Sequence, residues 1–534
     1  MYNLVIRNAQ IVDGTGAPRY RGDVAVTGDR IVEVGEVTGV GRRRIDAGGL
    51  CLAPGFIDMH SHSDHYLLVN PTAESKTTQG ITTEVSGNCG SASAPLLDPK
   101  DREEILRFLS ENGNEANWTS MEEYFAVLEG SGIAPNFMTF VGHGSLRAGV
   151  VGYDDRPATE VEMERMRALV AESMAAGAVG LSSGLIYAPG CYGGTAEVTE
   201  LCRPVCKAGG LYSTHMRSEG DQLLEAVTES ITIAEQSGAR LQISHHKSCG
   251  PANWGKVHGS LGLIESARRR GLDVAADQYP YVATSTGLSV NIPKWAHDGG
   301  DDRLMERLQD PALAERLKAE TTWGVEGGYA DPVQGWKDIV VASVKSEPNK
   351  WTQGLSVYEI AQRWATEPYN ALVRLLIEER CRAAMIHFTI SEDDVETVMR
   401  APYVMVGSDA TARALTGPLA VGKPHPRTFG TMPRVLARYV REKGVLTLEE
   451  AVRKMTSLPA GRLGLADRGR IAPGFAADIV LFDPDTVADA ATFADPFALA
   501  KGIPHVYVNG VDIVHDGRVT GNMPGRCLRF GRTQ

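Results

Sequence analysis

The sequence predicts an α/β protein: a (β/α)8 barrel, a small β-sandwich domain built from both termini, and an insertion near the barrel mouth. Three observations carry this reading. Eight short apolar segments succeed one another between residues 53 and 467, with amphipathic helical stretches between several of them. Polar residues gather at the C-terminal ends of those segments, where barrels of this kind place their active sites. Residues 1–52 and 468–534 lack this alternation and read as β-structure at both ends of the chain.

Taken in order, "MYNLVIRNAQIVDGTG" alternates apolar and polar residues from its first position and closes on a turn signal. It has neither the basic start nor the long apolar core of a secretion signal, which predicts a cytoplasmic address. Residues 53–467 hold the barrel segments "GFIDMHSH", "ITTEVSGNCG", "FMTFVGHGS", "GAVGLSSGL", "GLYSTHM", "RLQISHH", "LDVAADQYPY" and "YVMVGSDA". Helical patterns such as "TEVEMERMRALVAESMAAG" and "DQLLEAVTESITIAEQSG" lie between some of them. A β/α connection is short, so the long interval after the seventh segment predicts an insertion at about residues 285–350 that lids the barrel mouth. "RGRIAPGFAADIVLFDPD" and "HVYVNGVDIVHDGRVTG" then return to strand and turn patterns, and no internal repeat stands out.

Composition narrows the function classes. A chain of 534 residues with 43% hydrophobic and 22% charged residues is globular, and its apolar runs are broken well before membrane-spanning length. A net charge of −12 without any basic run disfavours nucleic acid, so the expected partner is a small molecule; the oligomeric state is left open. Eight scattered cysteines predict reduced, mostly buried thiols rather than a disulfide framework.

Side chains two apart on a strand share a face, so His60 and His62 in "HSHSD" project together and can reach one ion. Cys89, His215, His245 and Asp409 occupy the matching ends of later segments. Thiolate, imidazole and carboxylate are the ligand types of zinc, and a zinc site with an open position activates water. Each residue alone has an ordinary structural explanation, Asp409 as a helix cap, for instance. Six of them on one rim do not share one. "CRPVC" at 202–206 reads as apolar core, His246 alternates away from the site, and Lys294 beside Trp295 reads as surface. His143 is expected at the pocket wall; His65, His425 and Arg427 receive no role.

The motifs "HSHSD", "GNCG", "SSGLIYAPG", "THMRSEG", "SHHK", "DQYPY", "GSDA" and "GRIAPGFAADIVLFD" resemble the amidohydrolase superfamily and, within it, the N-acyl-D-amino-acid deacylases. The resemblance runs in order through nearly the whole chain. It implies a tight zinc site on Cys89, His215 and His245, a weaker second metal position at His60 and His62, and Asp409 as general base and acid. It also implies Lys247, Tyr187, Tyr279 and Ser285 as substrate contacts. The implied reaction is hydrolysis of the amide of an N-acyl-D-amino acid, with Asp409 taking the water proton and passing it to the leaving amine. The D preference comes from the resemblance alone. A cyclic-amide hydrolase of hydantoinase or dihydroorotase type is the alternative, disfavoured because the fourth segment lacks that group's bridging lysine. A non-catalytic assembly relative is disfavoured because all six positions are filled.

Overall fold

The computed structural model describes residues 1–321 and 332–532; residues 322–331 of the predicted insertion and the last two residues of the C-terminal β-part lie outside the described residues. The eight predicted segments form short parallel strands. Phe56–Asp58, Ile81–Ser86 and Asn136–Thr139 make one parallel sheet of three. Val141–Gly142, Gly180–Gly184, Leu211–His215, Arg240–Ile243, Val274–Gln278 and Val404–Val406 make a second sheet of six, in chain order and parallel throughout. The third segment serves both sheets, with only Phe140 between its two halves. At the other seam the Met59 amide reaches the Val406 carbonyl, the Asp409 amide donates to the His60 carbonyl at 2.7 Å, and Ser61 bridges Ala410 in parallel.

The strands are short because their residues are spent in two tiers. Ile57, Met59, Val85, Met138, Phe140, Val179, Leu211, Ala275 and Met405 form one apolar cluster with Ala460, Leu463 and Leu528. Burying such side chains stabilises the fold by about 1.5–3 kcal/mol each. The next residues along the strands are polar and gather at the C-terminal ends. Helices pack outside: Glu160–Ala176 starts at a Thr159 capping box, buries Met163, Met166, Leu169, Val170 and Met174 on one face, and stops at Gly177, whose φ of 114° favours glycine.

Both chain ends meet in one nine-stranded mixed sheet. Cys51–Pro54, the last strand before the parallel segments, pairs antiparallel with Ile479–Phe482, with Leu52 opposite Leu481. Between the seventh and eighth parallel segments stands a separate antiparallel sheet of Ala283–Gly287, Ile339–Ser343 and Ala384–Phe388, whose last strand lies beyond residue 350. It has its own apolar cluster, which includes Leu288, Leu304, Leu372 and Leu376. All eight cysteines are free thiols. No helix among the described residues is long and apolar enough to cross a membrane.

Candidate metal centre

The strand ends bring all six sequence-selected residues together. His60, His62, Cys89 and Asp409 place ligand-type atoms within 4.8 Å of one another, as do Cys89, His215 and His245, so the two groups share Cys89. The Cys89 sulfur is 3.3 Å from Nε2 of His60 and 3.3 Å from Nε2 of His245. His62 Nε2 lies 3.0 Å from Oδ1 of Asp409, and His60 Nε2 lies 3.5 Å from the same oxygen.

Local backbone conformation produces this convergence. Cys89, His245 and Asp409 have φ of 54°, 34° and 51°, a region side-chain-bearing residues rarely occupy and one that collects at functional sites. Gly407 lets the last strand approach the first, since a Cβ there would sit 2.5 Å from Cβ of His60. The turn holding Cys89 is fastened by the fourth segment, where Ser182 accepts the Gly90 amide at 3.0 Å. Beneath the rim the fully buried Lys76 ammonium donates to Asp58 at 2.9 Å, Ser408 at 2.6 Å and the Ala410 carbonyl at 2.8 Å, which locks the residues either side of Asp409 to the first strand.

Electrostatics favour a cation. Burial pushes the Cys89 thiol up, but His60 and His245 outweigh it and hold the thiol well below its ordinary value. Burial likewise raises Asp409, and Arg427 followed by His245 and His60 carries it well below the carboxylate range. The same anions lift His62 to about 9 against its desolvation. Neither ring nitrogen of buried His215 has a hydrogen-bond partner, a costly state that a metal ion relieves. The donor set therefore fits zinc.

Three charged residues that complete the site escaped selection from sequence. Asp277 lies 3.1 Å from His60 Nδ1 and accepts the His245 amide at 2.8 Å; a carboxylate at Nδ1 keeps the proton there and leaves Nε2 as ligand. Glu219 stands 2.8 Å from His245 Nδ1, and the Lys247 ammonium reaches the same nitrogen at 2.8 Å, so a carboxylate and a cation together fix that ring. Arg427 holds Oδ2 of Asp409 at 2.8 Å, donates to the Ser285 carbonyl at 3.1 Å and stacks 4.6 Å over the Tyr279 ring. Asp277 and Glu219 sit inside "DQYPY" and "THMRSEG", so proximity to the strand ends was the available signal.

Lys247, Tyr187, Tyr279 and Ser285 line a cavity of about 580 Å³ together with Cys89, His215, His245 and Asp409. The Lys247 ammonium is paired at 2.5 Å with Glu219, which outweighs desolvation and keeps it charged. The buried Tyr279 hydroxyl has no partner. Tyr187 accepts from Thr286 at 3.1 Å and packs edge-on to His215, and Ser285 donates to the Met385 carbonyl at 2.9 Å. His143 departs from expectation: it is fully buried, its Nε2 2.8 Å from Glu197, because that carboxylate and Arg147 draw it behind the cavity wall. His246 turns outward to Ser260 at 2.8 Å, and Cys202 is core, with Cys206 packed against the same cluster. His425 lines the cavity while bonded to the Ala283 carbonyl, and His65 lies 2.9 Å from the Ser93 hydroxyl.

Residues 43–326 and 353–514 match the amidohydrolase family, and the chain belongs to it. It is 38% identical to the N-acyl-D-glutamate deacylase of Alcaligenes xylosoxydans xylosoxydans over 99% of this chain and 96% of that one. The crystal structure of D-aminoacylase matches with a TM-score of 0.83 and 36% identity over 99% of this chain and 100% of that one. The N-acyl-D-glutamate deacylase of Bordetella bronchiseptica, solved with zinc and a phosphonate mimic of the tetrahedral intermediate, matches with a TM-score of 0.82 and 35% identity, covering 99% of each chain. The L-hydantoinase of Arthrobacter aurescens, at 16% identity and a TM-score of 0.56 over 99% of this chain and 100% of that one, shares the fold alone.

Proposed function

We propose that the chain is a zinc-dependent deacylase that hydrolyses N-acyl-D-amino acids to a carboxylate and a free D-amino acid. The observation that carries this is the cluster of Cys89, His215, His245, His60 and His62 around Asp409, all but the enclosed His60 lining one cavity. The D hand is taken from the named relatives. We read the two parallel sheets as one closed (β/α)8 barrel spanning residues 53–467. Its seam is the Ser61–Ala410 bridge, and residues 1–52 and 468–534 form the β-sandwich domain.

Cys89, His215 and His245 would hold the tight zinc, and His60 and His62 a second, weaker metal. Zinc held there would supply Lewis acidity and lower the pKa of water toward neutrality. Asp409 begins ionised because Arg427 holds it so, and its Oδ1 faces the ligand cluster. It takes the proton of the attacking water and returns it to the amide nitrogen as the C–N bond breaks. Tyr187, whose burial keeps its proton, donates to the developing oxyanion. The unpartnered Tyr279 hydroxyl, with Lys247 and Ser285, receives the substrate carboxylate.

Metal analysis of the purified protein, with hydrolysis of paired N-acyl-D- and N-acyl-L-amino acids, tests the reading. Zinc with turnover of the D series alone is the expected result. Zinc without turnover of either series would leave the centre standing and refute the deacylase assignment.

A further inference from the structure

The cavity that holds the metal cluster opens into a second one of about 1130 Å³ that the reaction above leaves without a role. The two share a wall that includes His62, Asp101, Ser145, Ser343, Arg413 and Val421, while Lys247, Tyr279 and Ser285 line only the first. A substrate with its carboxylate at Tyr279 and its amide at the Cys89–His215–His245 cluster points its acyl group toward that shared wall. Drug-sized ligands fill about 300–1,000 Å³. The first cavity therefore accommodates an N-acetyl amino acid by itself, and the second is surplus for one.

The surplus space suits an apolar chain. Helix Pro99–Glu111 contributes Ile105 and Phe108, with Leu97 just before it, and the opposite wall carries Val344, Leu419 and Val421. His65 and Tyr66 stack with centroids 4.5 Å apart, and Phe108 meets them edge-on at 5.7 and 5.4 Å. Burial lowers His65 to about 4, so that trio is uncharged at neutral pH. Arg413 is spent on the Leu419 and Val421 carbonyls. Three carboxylates also line it: Asp64 accepts the Gly87 and Ser93 amides, Asp98 caps the helix by accepting the Lys100 and Asp101 amides, and burial raises Asp64 and Asp101 to about 6. Other charges, such as Glu104, Lys345 and Arg382, sit at exposed rim positions. At the rim Arg382 pairs with Glu104 at 3.7 Å, and elsewhere on the helix Lys100 pairs with Asp302 at 2.7 Å.

We propose that this second cavity is an acyl subsite and that the enzyme acts on substrates with medium-length or aryl acyl groups in preference to acetyl. The inference rests on the deacylase reading. Burying a methylene is worth about a twofold to fourfold gain in transition-state binding.

The test compares kcat/KM for the N-acetyl, N-octanoyl and N-phenylacetyl derivatives of one D-amino acid in the zinc-loaded enzyme and in Ile105→Trp, which fills the cavity from the helix side. The wild type is expected to favour octanoyl over acetyl by at least about tenfold. Ile105→Trp should lower octanoyl turnover about tenfold and leave acetyl within about twofold. Lys345→Trp, at an exposed position that lines the second cavity and not the first, repeats the test should the first variant fold poorly. Equal or better turnover of acetyl by the wild type, or equal losses for both acyl groups in the variants, overturns the subsite. Calorimetric binding of octanoate against acetate reads the cavity without turnover: tighter octanoate, weakened by Ile105→Trp, supports it and equal binding refutes it. Failure of every N-acyl-D-amino acid to react, with selective octanoate binding retained, would sink the deacylase reading instead.

Discussion

The two ligand groups share one sulfur but are supported in different ways. In the Cys89–His215–His245 group every residue is buried, and Glu219 reaches both histidines, at 2.8 Å from His245 and 3.6 Å from His215. In the other group His60 is enclosed and oriented by Asp277, but the His62 side chain is 27% exposed, its ring edge-on to His60 and its Nε2 on Asp409 itself. A site that binds an ion tightly needs ligands fixed before the ion arrives, whereas a base that must take and release a proton needs an oxygen facing substrate. The first group is built for the former task. The second suits the roles proposed for it, a weaker ligand pair beside the acid-base residue.

Cys89→Ala breaks this comparison outright, since both groups lose their common atom. Loss of tight zinc and a fall in activity of more than about a thousandfold are expected, read by metal content and kcat/KM. Retained metal at full stoichiometry would remove Cys89 from the centre. Asp409→Asn should keep zinc and lose about 10²–10⁴ in kcat, because the amide can neither take nor return the proton. A mild effect would mean another base.

Exchanging single histidines sharpens the contrast. His215→Ala should release the tight metal, whereas His62→Ala should keep one equivalent and retain measurable turnover; metal titration of both variants decides it. Equal metal loss in the two would show one merged centre. Changes behind the ligands come next in size: Glu219→Gln and Asp277→Asn should each weaken zinc by about 10–100-fold, measured by competition with a chelator.

What sequence made legible follows the same division. His60 and His62 are readable from the two-residue period of a strand, and Cys89, His215, His245 and Asp409 from their places at successive strand ends. Those are local signals. Asp277 meets His60 across 217 positions, and no spacing rule connects them. Glu219 follows His215 by four residues but reads like any polar residue before a helix. The acyl cavity is least legible, since its walls come from residues near 65, 97–108, 344 and 419–421, none forming a motif. The parallel strands and the paired termini were readable because alternation and turn residues are local. The antiparallel sheet between the last two parallel strands was not, because its first and last strands pair about a hundred residues apart in an interval that reads mainly as helix.

Arg427 joins Asp409 to Ser285 and Tyr279 across the cavity and yields the smallest expected effect. Its guanidinium spans two tasks, with one nitrogen on Oδ2 of Asp409 and another on the Ser285 carbonyl, while its plane covers the Tyr279 ring. Lysine at this position preserves a charge beside Asp409 but cannot make both hydrogen bonds or stack in the same manner. Arg427→Lys is therefore expected to keep zinc, lower kcat by about tenfold as Asp409 loses its fixed orientation, and raise KM as Ser285 and Tyr279 loosen. Steady-state kinetics beside metal content separate these outcomes. A rise in KM with kcat unchanged would assign Arg427 to the substrate carboxylate alone and leave the orientation of Asp409 to His62 and the Lys76 network beneath it.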